Sequence, residues 1–513
     1  MVSEMGVAVV HPAGEVLGEV IARAGTADKL LTVETHGRRF QVEWDPQAPV
    51  TAMGQLVFFS QFLATGGLFS EWVGSCPLKF SSPNAPSLTD LLGTILLSVL
   101  SGQKRYAHVT ALRADTVNPA GFGMKKVCSE DSVRRAFQDA DPAACANWQM
   151  QALRRCWLPA LRHGWVLDLD TTVKPVSGHQ EGADLCYNPA RRGHRAHAYH
   201  TLMIRHLRLV LDVEVMPGSK GSATEGRPGL WRLWESLPEE CRPQLICGDA
   251  AYGHQGLLKE CEDRSQKYLF RIRRSPQIKS LVAMMETQGG WKAGCNGWVG
   301  IESSLKLKGW NTPRRVVVYR RKLEKNAAAS NRLDEGELKL EIVEDSKEWE
   351  YQILVTNLDI DLVGLSDLYR KRADIENAYD ELKNQWGWGG FMTRDLLRCQ
   401  VAARNVALVY NWWRLFVACA QPERTREAIT SRPLLLCAVG RLVESGRQLT
   451  LRLTSTHANA AEAQRLLGEM SLFLSGLGNT AEQLTPNRCW ERIWERILQP
   501  WLLPRPRLPA PPF

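Results

Sequence analysis

The stretch WVLDLD, residues 165–170, is an apolar run that ends in two aspartates, and it decides the fold class. Side chains alternate between the two faces of a strand, so Asp168 and Asp170 share one face while Leu167 and Leu169 occupy the other. Further strand-like segments follow along the chain: HTLMIRHLRLVLDVEVM (200–216), QLICGD (244–249) and YLFRIRR (268–274). Helical patterns lie between them. Strands ending in aspartate and alternating with helices predict an α/β core.

The strand QLICGD delivers Asp249 into a turn rich in glycine and alanine, CGDAAYG (247–253). Open α/β sheets place their sites beyond the ends of their strands. The ordinary role of an aspartate at such a place is a helix cap or a turn. Neither acidic strand decides the function alone.

The segment YRKRADIENAYDELKNQWGWGG (369–390) predicts one helix with two stripes. At about 100° per residue, a polar row falls within roughly 60° of the helical wheel. Its members are Tyr369, Arg372, Glu376 and Lys383. The stripe beside it is apolar: Leu368, Ile375, Tyr379, Leu382 and Trp386. A charged row on a helix is usually only a solvated face.

Together with the two strand-end aspartates, Glu376 favours a metal site over the ordinary roles of these residues in caps, turns and a solvated face. Three carboxylates would hold two divalent ions through oxygen, and Mg²⁺ suits such a site because it keeps waters and phosphate oxygens as further ligands. Two ions about 4 Å apart activate a nucleophile and stabilise the leaving oxygen. Arg372 and Lys383 are then candidate phosphate partners. Asp168 and Asp170 remain alternatives for the first ligand.

Composition fits an ordinary globular protein with a polyanionic partner. The 513 residues carry 64 Lys and Arg against 55 Asp and Glu, a net charge of +9, and a basic excess favours nucleic acid. The 13 cysteines form no C-x-x-C pair, which predicts reduced thiols. The most apolar run, LLGTILLSVL (91–100), is too short to span a bilayer. We expect a soluble, intracellular protein without a membrane partner.

The remaining segments divide the chain. Residues 6–44 alternate like β-strands. Two segments, SLTDLLGTILLSVLSG (87–102) and SEDSVRRAFQD (129–139), predict capped helices. The second of them resembles the second helix of a helix-turn-helix. The predicted regions are 1–163, mainly helical after a small β segment and a candidate for DNA binding; 164–420, the catalytic domain; 276–350, a β-rich insertion within it; and 421–513, helical, with a Pro-rich tail and a candidate for dimerisation.

The spacing Tyr369-x2-Arg372-x3-Glu376-x6-Lys383 resembles the Y-R-E-K signature of the DDE transposases of the insertion-sequence-4 family and its close relatives. VLDLDTT (166–172) resembles the first catalytic block of that family, an apolar strand followed by Asp and Thr. CGDAAYG resembles the second, an Asp followed within three residues by Tyr. The resemblance covers roughly residues 165–415, about half the chain.

This resemblance implies an RNase H-like catalytic core with a β-rich insertion, flanked by a mainly helical N-terminal region and a helical C-terminal region. It implies Asp170, Asp249 and Glu376 as catalytic metal ligands for two Mg²⁺ ions, with Mn²⁺ as a substitute. It favours Asp170 over Asp168 because Thr171 and Thr172 follow directly. The remaining signature residues would bind DNA: Tyr369, Arg372 and Lys383.

The expected function is therefore a DNA transposase that binds the ends of an insertion sequence, cleaves them and joins the 3′ ends to target DNA. The implied partners are double-stranded transposon ends and target, with a homodimer in the DNA complex. The implied location is the bacterial cytoplasm, at the nucleoid when DNA is bound. The alternatives are an RNase H-like nuclease without strand transfer and a catalytically inactive, transposase-derived DNA-binding protein. The intact carboxylates argue against the last alternative.

Overall fold

The structure is a computed structural model and describes residues 31–45, 47–186, 193–323, 348–479 and 484–502. The chain divides into two compact units, Met1–Pro49 and Val50–Phe513. In the first unit, β1 (Leu31–Glu34) and β2 (Arg39–Val42) form an antiparallel hairpin. This hairpin accounts for part of the predicted β segment, whose residues 6–30 lie outside the described residues, as does the Pro-rich tail.

The elements of the second unit follow in chain order: β3 (Val50–Thr51), α1 (Leu56–Thr65), α2 (Leu68–Gly74), α3 (Leu88–Leu100), α4 (Val109–Leu112), α5 (Asn118–Gly121), α6 (Glu130–Arg135), α7 (Pro142–Trp157), β4 (Val166–Pro175), β5 (Asp184–Leu185), β6 (Arg195–Ile204), β7 (Leu209–Pro217), α8 (Ala223–Ser236), β8 (Leu245–Gly248), α9 (Gln255–Asp263), β9 (Tyr268–Arg271), α10 (Pro276–Gln288), β10 (Lys292–Ala293), β11 (Val299–Leu305), β12 (Arg314–Lys322), β13 (Trp349–Thr356), α11 (Leu362–Arg370), α12 (Ala373–Gln385), α13 (Leu396–Ala420), α14 (Ala428–Leu435), β14 (Gly440–Ser445), β15 (Gln448–Leu453), α15 (Ala460–Gly478) and α16 (Pro486–Leu502).

One large sheet dominates this unit, and it confirms the predicted mixed α/β fold. Among the described residues its order is β10-β11-β12-β13-β9-β8-β4-β6-β5, with β7 paired to β6. Strands β4, β8 and β9 are parallel neighbours, whereas β4, β6 and β7 pair antiparallel. The strand segments predicted around WVLDLD, QLICGD and YLFRIRR are all present in this sheet.

The segment predicted as an insertion, 276–350, begins with α10 and then extends this same sheet. Strand β12 pairs with β13 over eight residues, and β13 pairs with β9. Val316, Val317 and Val318 in β12 are fully buried, so both faces of the strand are covered. A run of branched apolar residues buried on both faces is typical of a central strand. Residues 324–347 lie outside the described part of the chain.

Helix α13 packs one side of the sheet. Most of its 25 residues are buried, and Asp395 caps its first turn by accepting the N–H of Arg398 at 2.8 Å. Two polar clamps hold it to β7. The Asn411 side chain exchanges hydrogen bonds with the backbone of Val210 at 2.8 and 2.9 Å, and Arg404 donates to both carboxylate oxygens of Asp212 at 2.9 and 3.0 Å. These clamps fix the register between the helix and the sheet.

The C-terminal region differs from the helical prediction. Helices α14, α15 and α16 lie there, but β14 and β15 form an antiparallel hairpin, and β14 pairs with β3 at the start of the unit. The sequence RLVESGRQLTLRL (441–453) alternates around a Ser-Gly turn, and Gly446 adopts φ 61°. A glycine with positive φ between alternating segments is typical of a hairpin, so this part of the prediction was wrong.

No single helix of the described residues is long and apolar enough to cross a membrane. Helices α1 and α2 pass that test only as a pair bent by 70°. Phe59, Phe62, Leu68 and Trp72 of this pair are buried within the large unit.

Candidate active site

Strand β4 carries both aspartates, and their surroundings differ. The side chain of Asp168 is 0% exposed. Arg205 donates to both of its oxygens, from Nε at 2.5 Å and from Nη2 at 2.9 Å. Arg205 follows β6 and also donates to the carbonyl of Leu368 at 2.7 Å. Because both oxygens of Asp168 are engaged by a buried arginine, this carboxylate closes a structural ion pair.

Asp170 lies where the parallel neighbour of β4 stops. The pairing of β4 with β8 ends at Leu169 and Gly248, but β4 continues to Pro175 along β6. Asp170 was predicted to lie at the end of its own strand. It lies instead within β4, at the point where the pairing of β4 with β8 ends. Parallel strands lie about 4.8 Å apart, so Asp249, the residue after Gly248, stands beside Asp170. The Asp249 carboxylate also accepts the N–H of Ala251 at 2.9 Å.

Arg372 connects the acidic residues of the strands with the acidic residue of the helix. Its guanidinium donates to Glu376 at 2.9 Å, and it lies 3.7 Å from Asp170 and 3.9 Å from Asp168. Burial disfavours the cation, but the surrounding Tyr369, Asp170, Asp168 and Asp249 hold its pKa well above the ordinary value. The guanidinium is therefore charged, and it is the cation that the carboxylates share.

The predicted single helix is interrupted at this arginine. Helix α11 ends at Arg370 and α12 begins at Ala373, and the N–H of Arg372 donates to the carbonyl of Tyr369 at 2.9 Å. This bond closes a turn one residue shorter than an α-helical turn. The prediction that the polar row lies on one helix was therefore wrong. Arg372 is buried among the carboxylates, whereas the side chain of Glu376 is 39% exposed.

The apolar stripe of the prediction is confirmed for the four residues on and directly after α12, whereas Leu368 lies on α11 and is only partly buried. Ile375, Leu382 and Trp386 are fully buried and Tyr379 is nearly so. This stripe anchors α12 against the core, which holds Glu376 in place beside the strands.

Tyr369 and Lys383, the other two signature residues, differ in exposure. Tyr369 is buried in an apolar cluster that includes Leu245 and Leu269, and burial raises the pKa of its hydroxyl to about 12. Lys383 is partly buried in the last turn of α12, about two turns beyond Glu376. The role of both residues in DNA binding remains a prediction.

The donor set fits a divalent ion in its chemistry. Asp170, Asp249 and Glu376 offer only oxygen, as Mg²⁺ prefers, and they already lie around a shared cation. Among the described residues, no three His, Cys, Asp or Glu side chains are arranged to hold a metal ion. One buried polar atom at the centre, Nε of Arg372, has no hydrogen-bond partner in that part of the chain. The site thus has the ligand types for a metal, gathered around a guanidinium.

A hydrogen-bonded chain beside Asp170 was not predicted from the sequence. His200 Nε2 lies 2.8 Å from the carbonyl of Lys220, so this nitrogen carries the proton, and burial lowers the pKa of the ring. Nδ1 of the neutral ring then accepts from the Thr171 hydroxyl at 3.0 Å, and Tyr252 donates to Thr171 at 2.8 Å. The chain ties β4 to the turn after Asp249. Thr171 and Tyr252 had a signal in the sequence, as parts of VLDLDTT and CGDAAYG, whereas their connection to His200 had none.

A cavity of about 640 Å³ opens beside the Asp249 turn. Its wall includes Ala250 and Ala251, which directly follow the aspartate, and the cationic side chains of Arg273 and Lys308. The acidic cluster is therefore bordered by a space with basic residues on its wall.

A protein-family model described as "Transposase DDE domain group 1" matches residues 82–473. The chain belongs to this family of DDE transposases. The matched range contains all six residues of the predicted site, but the match does not single out the insertion-sequence-4 type. No protein of curated function matches the chain significantly.

A cryo-EM structure of a piggyBac transposase synaptic complex with hairpin DNA is similar to this DDE transposase over 90% of this chain and 89% of that chain. The sequence identity is 10% and the TM-score is 0.36.

Proposed function

We propose that this chain is a DNA transposase that binds the ends of an insertion sequence, cleaves them and joins the 3′ ends to target DNA. One observation carries the proposal: the guanidinium of Arg372 lies 3.7 Å from Asp170 and 2.9 Å from Glu376, and Asp249 directly follows the neighbouring strand. Carboxylates that follow or lie on two strands and a helix thus surround one cation, which supports the proposal.

The sheet supports an RNase H-like core of the insertion-sequence-4 type. The strand order β7-β6-β4-β8-β9 places the strands that lead to Asp170 and Asp249 side by side and parallel. The carboxyl ends of adjacent parallel strands are where an α/β sheet builds its site.

Asp170, Asp249 and Glu376 are the residues that we propose to hold two Mg²⁺ ions, for which Mn²⁺ would substitute. Bound ions would supply activation of a water or hydroxyl and stabilisation of the leaving oxygen. The residues of the chain supply orientation. Arg372 holds the carboxylates close together, and it is poised to exchange them for phosphate oxygens, because a guanidinium binds both in the same forked geometry.

The proposed partners are the double-stranded transposon ends and the target DNA, bound by a homodimer, in the bacterial cytoplasm. Tyr369, Arg372 and Lys383 are the proposed phosphate contacts. The basic wall of the cavity beside Asp249 supports passage of a DNA strand there, because Arg273 and Lys308 complement phosphate charge.

The test compares cleavage with joining. The purified protein is incubated in Mg²⁺ with a linear duplex that carries the DNA flanking the reading frame, together with a supercoiled target plasmid. The proposal expects 3′ ends joined to the plasmid and the loss of all products in Asp249→Ala. Cleavage without joined products would identify the protein as a nuclease. Binding without cleavage would identify it as a catalytically inactive DNA-binding protein.

A further inference from the structure

The loop that follows α3 lies against the segment that ends the catalytic helix α12. The N–H of Phe391 donates to the carbonyl of Lys104 at 2.9 Å. The ring of Tyr106 meets the ring of Phe391 edge-on, with centroids 5.4 Å apart. The N-terminal helical region is thereby joined to the end of the helix that carries Glu376.

Two glycines after α12 make this approach possible. A methyl group on Gly387 would collide with the carbonyl oxygen of Gln103, and one on Gly390 would collide with the carbonyl oxygen of Lys104. Gly387 also has φ 69°, a conformation that favours glycine. Gly389, between them, differs: a methyl group there would meet only the side chain of Lys174, at 3.7 Å. The close contact thus depends on two defined positions.

Hydrogen bonds of the Gln103 side chain also fix the conformation of the loop. The side chain of Gln103 accepts from the Ser98 hydroxyl at 2.7 Å and donates to the carbonyl of His108 at 3.0 Å. With its backbone held in this way, the loop presents Lys104 and Arg105 as exposed side chains. Neither makes an ion pair with any carboxylate in the described part of the chain, so both charges are available to a ligand.

We infer that Lys104 and Arg105 bind the phosphate backbone of duplex DNA that enters the acidic site, beyond the far end of α12. The inference rests on the proposed function, because it takes DNA as the ligand of the carboxylate cluster. Eleven residues lead from Glu376 to Gly387, about 16 Å along a helix. That length corresponds to about five base pairs of duplex at 3.4 Å each. The two cations would therefore act about half a helical turn of DNA away from the scissile phosphate.

The first experiment removes the two charges. Binding of a fluorescent duplex of about 30 base pairs is measured by anisotropy over a series of NaCl concentrations. For Lys104→Ala/Arg105→Ala, the plot of log Kd against log salt should be shallower by about 1.8, or about 0.9 per lost phosphate contact, with binding at 0.15 M salt weakened roughly 30-fold. The control, Arg441→Ala/Arg447→Ala, removes the same charge from exposed positions of the β14–β15 hairpin. Equal losses in both double variants would overturn the inference.

The second experiment moves the loop without changing its charge. Gly390→Ala should displace Lys104 and lower the slope, whereas Gly389→Ala should bind like the parent. Urea unfolding of both variants shows whether they fold. If Gly390→Ala is folded and binds with the slope of the parent, the position of the loop does not affect DNA binding and the inference fails. If it does not fold, the exposed double variant decides alone.

The outcomes separate this inference from the proposed function. A parent protein that binds no duplex at any salt concentration contradicts both. A parent that binds and cleaves DNA, beside a Lys104→Ala/Arg105→Ala variant with an unchanged slope, contradicts the inference only.

Discussion

Two arginines bind carboxylates of the same strand, and they do so in opposite ways. Arg205 gives Asp168 two short, parallel hydrogen bonds, and this ion pair is nearly inaccessible to solvent. Arg372 is shared among Glu376, Asp170 and Asp168 at 2.9 to 3.9 Å, with Asp170 and Glu376 partly exposed. In the first arrangement, both oxygens of the carboxylate accept a hydrogen bond from the arginine. In the second, one guanidinium is shared by three carboxylates, and only its contact with Glu376 is short.

This difference distinguishes a carboxylate that stabilises the fold from carboxylates that can take part in a reaction. A saturated buried pair gains nothing from a further ligand, and breaking it leaves an uncompensated charge. Nε of Arg372 lies 3.9 Å from Asp168 and has no hydrogen-bond partner among the described residues. An unsatisfied buried group of this kind requires an explanation, and a bound phosphate oxygen would supply one. We therefore propose that Asp168 serves the fold and Asp170 the reaction.

The largest expected effect is on the closed pair. Asp168→Ala should lower the free energy of unfolding by about 3–5 kcal/mol, because Arg205 stays buried without its partner. Asp170→Ala, at a partly exposed position, should lower it by less than about 1 kcal/mol. Urea titration followed by circular dichroism measures both, and Asp168→Leu/Arg205→Met should recover most of the loss. A smaller loss for Asp168→Ala than for Asp170→Ala would reverse the two roles.

The next effect concerns Lys174, four residues after Asp170 on β4. Its ammonium lies 3.3 Å from the carbonyl of Gly390, and burial lowers its pKa from 10.5 to about 8. Between these pH values the unfolded chain binds more protons than the folded chain, so the free energy of unfolding rises with pH, by roughly 3 kcal/mol in all. Below pH 8 both states are protonated, and the cost of burying the cation is fully present.

The measurement is urea unfolding at several pH values from 7 to 11, for the parent and for Lys174→Met. The variant lacks the titrating group, so the difference between the two proteins should change with pH by the expected amount. Parallel curves would show that Lys174 titrates normally.

Thr171 should have a smaller effect. Thr171→Val keeps the shape but leaves Tyr252 without its acceptor and His200 without its donor, both at buried positions. We expect a loss of about 1–3 kcal/mol in the free energy of unfolding. Thr172→Val, at the next position of the strand, is the control. Equal losses would mean that the hydrogen-bonded chain contributes nothing of its own.

The smallest expected effect on stability is that of Lys383, which lies about two turns beyond Glu376 on α12. Lys383→Ala should leave the unfolding curve within about 0.5 kcal/mol of the parent. The slope of log Kd against log salt for duplex DNA should fall by about one, as for the loss of one phosphate contact. An unchanged slope would remove Lys383 from the DNA interface.

The sequence was sufficient for the parts that depend on local pattern. The alternation in WVLDLD and the apolar stripe of Ile375 and Leu382 predicted the strand and the buried face of the helix. It was insufficient wherever partners are distant along the chain. Arg205, 37 residues after Asp168, has no periodic relation to it. The break at Arg372 could not be predicted either, because a straight helix satisfies the same hydrophobic pattern.

Asp170, and not Asp168, is the β4 aspartate that we propose as part of the reacting site. The most direct test is Mg²⁺-dependent cleavage, under single-turnover conditions, of a duplex carrying the element ends, by Asp170→Asn beside the parent. We expect Asp170→Asn to bind the duplex and to unfold at the same urea concentration as the parent, but to yield no cleaved strand. Cleavage at the rate of the parent by a folded Asp170→Asn protein would contradict this proposal.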